Sequence, residues 1–226
     1  MVPFKGRNRL KQYLPSKPKK WGYKILVLAG SDGVPHNLEI YTGRVVQPPE
    51  LADVGASGNI VLLLAQPIPK QEKYKLFFDN WFTSVPLVLT LAQQGIHCTG
   101  TVRGNRLPGV NLMCDAELKR AGRGSFEQKM AMVGETTLHV VKWYDNRSVT
   151  LLSDYTGAHP VTEVDRAGGG GFGPWVGVGG AKAEISWRPR HWNAHSNLKG
   201  KYIGNTCLKI GTKKQHQQSS ERWHCI

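Results

Sequence analysis

Asp79 closes a short apolar stretch, Tyr74-Lys75-Leu76-Phe77-Phe78, and is followed by Asn80-Trp81-Phe82-Thr83-Ser84. A strand fixes a carboxylate at its carboxyl end while the next loop leaves it open at the rim of the sheet, where acids of α/β sheets bind metals and catalyse. An aspartate that merely closes a strand or caps a turn fits the same pattern, and a lone carboxylate holds Mg²⁺ weakly. The other reactive residue types give less. Cys98, Cys114, Cys207 and Cys225 form no Cys-x-x-Cys pair, which suits reduced thiols inside a cell better than a disulfide framework. Cys207, His216, His224 and Cys225 show neither that pair nor the His-x₃₋₅-His spacing of a zinc site. The histidines and serines sit in no nucleophile arrangement such as Gly-x-Ser-x-Gly. The glycine run 168–171 has no strand before it and no Gly-Lys-Ser/Thr after it, so it is no phosphate-binding loop.

The elements that must position Asp79 are legible around it. Tyr74 to Phe78 reads as a strand, and Ser84 to Gln94 as a helix with Ser84 as N-cap, Pro86 in the first turn and Gly95 at the stop. Upstream, Tyr23 to Ala29 is short, apolar and β-rich, Gly30-Ser31-Asp32-Gly33 turns the chain, and Asn37 to Thr42 alternates as a second strand. Asn59 to Gln66 stops at Pro67 and fits a short helix or a buried strand, its leucines and the Gly58-Asn59 entry favouring the helix. Downstream, Cys98 to Arg103 is a further strand and Asp115 to Ala121 a helical turn. Phe126 to Val133, His139 to Tyr144 and Val149 to Ser153 then form a meander. Two hairpinned strands followed by alternating strand and helix imply an α/β chain with a mixed sheet and flanking helices.

Charge divides the 226 residues differently. The formal net charge is +14, of which residues 1–24 carry +8 without one acid and residues 182–226 carry +7, leaving −1 for the centre. A neutral globular centre with basic ends fits a polyanionic partner, DNA before a membrane surface, because phosphate contacts need Lys/Arg density and little side-chain geometry. Solvated basic tails have the same composition. No apolar run reaches the roughly 18 residues of a spanning helix, and the sequence reads as free of a signal peptide. The glycines from Gly168 to Gly180 disfavour strand and helix, so residues 167–226 read as a glycine-rich linker and a basic tail of low structure.

One resemblance is specific. Phe78-Asp79-Asn80-Trp81-Phe82-Thr83-Ser84-Val85-Pro86-Leu87, then Gly95-Ile96 and Thr99-Gly100-Thr101-Val102-Arg103-Gly104-Asn105-Arg106, resemble the core of the piggyBac transposase and its domesticated relatives. Pro3-Phe4-Lys5-Gly6-Arg7, Lys17-Pro18-Lys19-Lys20-Trp21-Gly22-Tyr23-Lys24 and Ile40-Tyr41-Thr42-Gly43-Arg44 resemble that family's segments in the same order. The resemblance covers residues 1–166. It implies a partial RNase H-like mixed sheet with flanking helices and a β-rich insertion, followed by a disordered glycine-rich and basic C-terminal tail. It further implies three aspartates holding two divalent metals, with Mg²⁺ as the expected cofactor. The family's first aspartate falls a few residues before the Phe-Lys-Gly-Arg segment, upstream of Met1, and the second falls on Asp79. The third belongs to a Gly-Gly-Val-Asp motif with no counterpart here, since Asp154 and Asp165 come too early and in a different context.

Three functional readings follow. The first is a transposase fragment of the three-aspartate type that lacks activity, with Asp79 its one catalytic and metal-binding residue. The second is a non-enzymatic DNA- or chromatin-binding protein in the nucleus. In it Arg7, Arg9, Lys11, Lys17, Lys19, Lys20, Arg103 and Arg106 meet phosphates. The third is a truncated product of a decayed element. The resemblance also implies a homo-oligomer, and none of the readings involves a membrane or a small-molecule substrate.

Overall fold

The protein is described by a computed structural model covering residues 1–15, 17–43, 48–159, 161, 207–211 and 223–225. Its first long strand, β3 (Trp21–Ala29), turns through Gly30–Val34 into β4 (Pro35–Tyr41), and the two pair antiparallel with Ile25 opposite Ile40 and Val27 opposite Leu38. Asp32 Oδ1 accepts the Val34 N–H at 3.0 Å and Gly30 N donates to Val34 O at 2.8 Å, so the turn satisfies its own backbone. Two short strands precede it. Both β1 (Val2–Pro3) and β2 (Gln12–Tyr13) pair antiparallel with the first residues of β3, which ties the basic segment read as an arm onto the sheet. At two residues each they are too short to show a period. Gly22 permits the approach, since a Cβ there would stand 2.1 Å from the Val2 carbonyl oxygen.

Beyond β4, α1 (Ala56–Leu64) buries Ile60, Val61, Leu62 and Leu64. Asp53 Oδ1 receives Gly55 N at 3.0 Å and Asn59 Nδ2 at 2.9 Å ahead of this helix, bonds that hold the Asp53 carboxyl below its ordinary pKa. Strand β5 (Lys75–Phe78), helix α2 (Val85–Gln93) and strand β6 (His97–Thr101) form a strand–helix–strand unit with β5 and β6 parallel, Leu76 opposite Cys98. Helix α3 (Asp115–Ala121) starts on a capping box in which Cys114 Sγ accepts from Glu117 N and the Glu117 carboxylate accepts from Cys114 N. Strands β7 (Phe126–Val133), β8 (Thr136–Tyr144) and β9 (Ser148–Ser153) complete the antiparallel meander expected from the sequence.

The strands join in the order β1-β3-β10-β5-β6-β9-β8-β7, where β10 is Cys207–Gly211 and β11, paired with β10, is Trp223–Cys225. Two stretches of the segment read as low in structure are thus strands, with β10 parallel to β3 and antiparallel to β5. Composition missed them because a strand lying between two others draws its hydrogen bonds from distant sequence. The glycine run 168–171 lies outside the described residues. The core gathers Leu26 and Leu28 of β3, Ile60 and Leu64 of α1, Leu76 of β5 and Leu87 and Leu91 of α2, none more than 2% exposed. Each such side chain contributes about 1.5–3 kcal/mol of burial. The result is a mixed α/β sheet with few helices. Among the described residues no helix is long and apolar enough to cross a membrane.

Candidate functional site

Asp79 follows β5 directly, as the sequence implies, and is exposed. Its Oδ1 accepts the Asn80 N–H at 2.6 Å and the Thr101 hydroxyl at 3.4 Å, so the end of β6 helps to orient the carboxylate. Its carbonyl oxygen accepts from Phe82 N at 3.0 Å and from Thr83 Oγ1 at 3.1 Å, which rolls the following loop into a tight turn. Phe82, fully buried, anchors that turn in the core. Ser84 then caps α2, its hydroxyl accepting from Leu87 N at 3.4 Å, with Pro86 in the first turn.

Gly100 within β6 and Arg106 just after it clamp the loop. A Cβ at Gly100 would lie 2.3 Å from Thr83 Oγ1 and 2.7 Å from the Phe78 ring, so only glycine lets β6 and the loop come so close. Arg106 Nη1 donates to the carbonyls of Trp81 and Thr83, both at 2.9 Å, and of Asn80 at 3.3 Å. This residue, expected from the sequence to meet phosphates, is therefore engaged with the Asp79 loop through that nitrogen. Lys24, on β3, places its ammonium 3.8 Å from the Trp81 ring centroid and 4.7 Å from that of Tyr41. Burial between the two rings lowers its pKa. The sequence showed Lys24 only as one more basic residue, because its partners are a cross-strand neighbour and a loop residue more than fifty positions on.

The remaining sequence-predicted residues fall in two places. Arg7, Arg9, Lys19 and Lys20 are exposed, while Lys11 and Lys17 are half-buried, all on the segment that β1 and β2 attach to β3. Lys11 Nζ donates to Gly6 O at 3.0 Å and Lys5 O at 3.4 Å, fixing the loop between β1 and β2. Arg103 is exposed after β6 and its carbonyl accepts from Arg106 N at 2.9 Å.

As a metal site the described residues fall short. Among them no group of three or more His, Cys, Asp or Glu side chains stands where it could hold an ion, and Asp79 belongs to no such group. Asp154, read from the sequence as out of place for a ligand, has other work at the opposite end of β6. Its side chain is 2% exposed, Oδ2 lies 2.7 Å from His97 Nδ1, and Oδ1 accepts the Cys98 N–H at 2.6 Å. Burial, and then the charge of Asp154, push the Cys98 thiol well up, which makes it inert. Burial likewise pushes the neighbouring Tyr155 phenol up to about 12. Nothing in the local sequence marked His97 and Asp154 as partners, since they lie 57 positions apart.

A family model described as Transposase IS4, of the piggyBac type, matches residues 1–174. The chain belongs to the piggyBac-type transposase family. Human PiggyBac transposable element-derived protein 3 is 32% identical over 168 residues, which is 74% of this chain and 28% of that protein. Human PiggyBac transposable element-derived protein 2 is 33% identical over 172 residues, 75% of this chain and 28% of that protein. A solved piggyBac transposase, in a synaptic complex with hairpin DNA, aligns with TM-score 0.51 and 29% identity over 67% of this chain and 30% of that one. This piggyBac-type chain thus spans about 28% of the length of these two curated relatives.

Proposed function

We propose that this chain is a piggyBac-derived domain that binds DNA and does not cleave it alone. One observation carries the reading: the +8 segment, free of acids, is folded onto β3 and leaves Arg7, Arg9, Lys19 and Lys20 in solvent. Lysines and arginines on loops tied at both ends to a sheet meet successive phosphates with less prior ordering, so they lose less entropy on binding than a loose tail would. Lys11 and Lys17 extend this surface, and Arg103 with Arg106 forms a second basic point beside the Asp79 loop. The similar solved transposase stands in a synaptic complex with hairpin DNA, which supports the same partner here. The parallel β5–α2–β6 unit beside an antiparallel hairpin supports an RNase H-like arrangement, with residues 1–166 as its extent. A nuclear location and self-association belong to the reading, and a small-molecule substrate does not.

Transposases of this type use divalent metal ions. Here Asp79 is the one carboxylate at the corresponding strand end. Two-metal catalysis requires several carboxylates to hold cations about 4 Å apart, and the described residues do not supply them.

Fluorescence anisotropy of the full chain with a DNA duplex between 50 and 200 mM salt tests the binding. Six or more phosphate contacts lower affinity roughly a thousandfold or more over that range, and each of Arg7→Gln, Arg9→Gln, Lys19→Gln and Lys20→Gln reduces the log–log slope by about one. A flat salt response rejects the reading. Nicking of duplex in Mg²⁺ by the wild type but not by Asp79→Ala rejects the absence of cleavage.

A further inference from the structure

The loop Leu14–Lys20 joins β2 to β3 and is closed by Leu14 N donating to Lys20 O at 2.8 Å and Lys17 N to Leu14 O at 3.1 Å. At its base Tyr13 and Trp21 are cross-strand partners whose ring centroids stand 4.7 Å apart at an interplanar angle of 47°. Each ring already leans on the other, yet Tyr13 remains 48% and Trp21 51% exposed. Lys11 Nζ sits 5.0 Å from the Trp21 centroid, and Lys19 and Lys20 are exposed on the adjoining loop. Trp21 alternates along β3 with Gly22, Lys24, Leu26 and Leu28, whose leucines face the helices, so the aromatic pair lies on the sheet face away from α1 and α2. Phe4 and Tyr23, 4.9 Å apart, continue that face.

From this arrangement we infer that Tyr13 and Trp21 form a stacking platform for an unpaired base of single-stranded DNA, with Lys11, Lys19 and Lys20 on the flanking phosphates. The inference rests on the DNA-binding reading above and goes beyond it, because phosphate contacts alone do not distinguish a strand with bases from one without. Duplex DNA keeps its base faces stacked inside the helix and offers them to no side chain. An unpaired base has a free π-face and a phosphate on each side, which matches two half-exposed rings bordered by ammonium groups. Charge complementarity decides against an apolar protein surface as the occupant, since residues 1–24 contain no acid to balance their eight cations.

The test compares three probes on the full chain at one salt concentration: a single strand, a strand of equal length built from abasic sites, and a duplex. Stacking predicts that the ordinary strand binds about fivefold to a hundredfold tighter than the abasic one. Trp21→Leu brings the two affinities together, whereas Trp21→Phe, which keeps a ring, preserves most of the difference. Tyr13→Leu repeats the test from the other strand should Trp21→Leu fail to melt cooperatively. Equal affinity of the wild type for ordinary and abasic strands, with salt-dependent duplex binding intact, overturns the platform and leaves the phosphate reading standing. Absence of binding to all three probes overturns both. If Trp21→Leu keeps the strand preference but turns a dimer into a monomer on sedimentation, the pair is a protein interface and the proposal fails.

Discussion

Tyr155 shows how one buried group links the structure to pH. Its ring stands 5.5 Å from that of His97, with Lys75 Nζ 4.7 Å above it, and burial pushes its phenol up to about 12 against an ordinary value of 10. The hydrogen bond with Thr99 opposes that shift, while the charge of Asp154 adds to it. Because the folded chain keeps the proton to a higher pH than the unfolded one, this group's contribution is complete below pH 10 and is lost as the pH rises towards 12. Two pH units correspond to at most about 2–3 kcal/mol. Melting the wild type and Tyr155→Phe in parallel from pH 9 to 11.5 isolates this contribution, since the other tyrosines and the lysines titrate in both. The wild type is expected to lose stability more steeply, and equal slopes refute the assignment. None of this was legible beforehand. Ser153-Asp154-Tyr155 reads as a strand end, and only the antiparallel pairing of β9 with β6 brings His97, Cys98 and Thr99 to it.

The unit β5–loop–α2 was read correctly from its own sequence because its signals are local: an apolar run, an N-cap serine, a proline in the first turn, a glycine at the stop. What the sequence hid is that the loop is held from outside. Gly100 and Arg106 lie about twenty or more residues downstream of the loop they clamp, and a run such as Arg103-Gly104-Asn105-Arg106 looks like a basic patch until the fold returns it to residues 80–83. Arg106→Gln is expected to leave carbonyls of Asn80, Trp81 and Thr83 unpaired in a partly buried site. The cost is about 2–3 kcal/mol, or a melting-temperature drop of roughly 5–10 °C in a chain of this size. Exposed Arg103→Gln, with no carbonyl to hold, stays within about 0.5 kcal/mol of the wild type. Equal effects of the two substitutions, measured by circular dichroism melts, show that the clamp is not structural and return Arg106 to a purely phosphate-binding role.

Across the whole molecule the sheet has two wings. Strands β1–β4 form one and β5–β9 the other, and among the described residues they meet within the sheet through β10, which pairs Cys207, Leu208 and Lys209 with Val27, Leu28 and Ala29 and pairs Ile210 with Leu76. The packing of α1 and α2 on Leu26, Leu28 and Leu76 connects them through the core, and Lys24 and Tyr41 of one wing meet Trp81 of the other. Sequence patterning forecast β3, β4 and the strands β5–β9 but missed β1, β2 and the strand between the wings, because two-residue strands show no period and alternation within a five-residue segment says little about a partner some 180 residues away. A proline at Leu208 or Ile210 removes one backbone donor from the middle of a sheet, a loss of about 1–3 kcal/mol where that donor's partner is left unpaired. If β10 joins the wings, Leu208→Pro and Ile210→Pro both lower the melting temperature of the full chain and broaden the transition as the wings uncouple. An unchanged, equally sharp melt would mean that the helical core and the Trp81 contacts couple the wings, and that the basic segment on β3 and the Asp79 loop on β5 keep their relative placement without any strand between them.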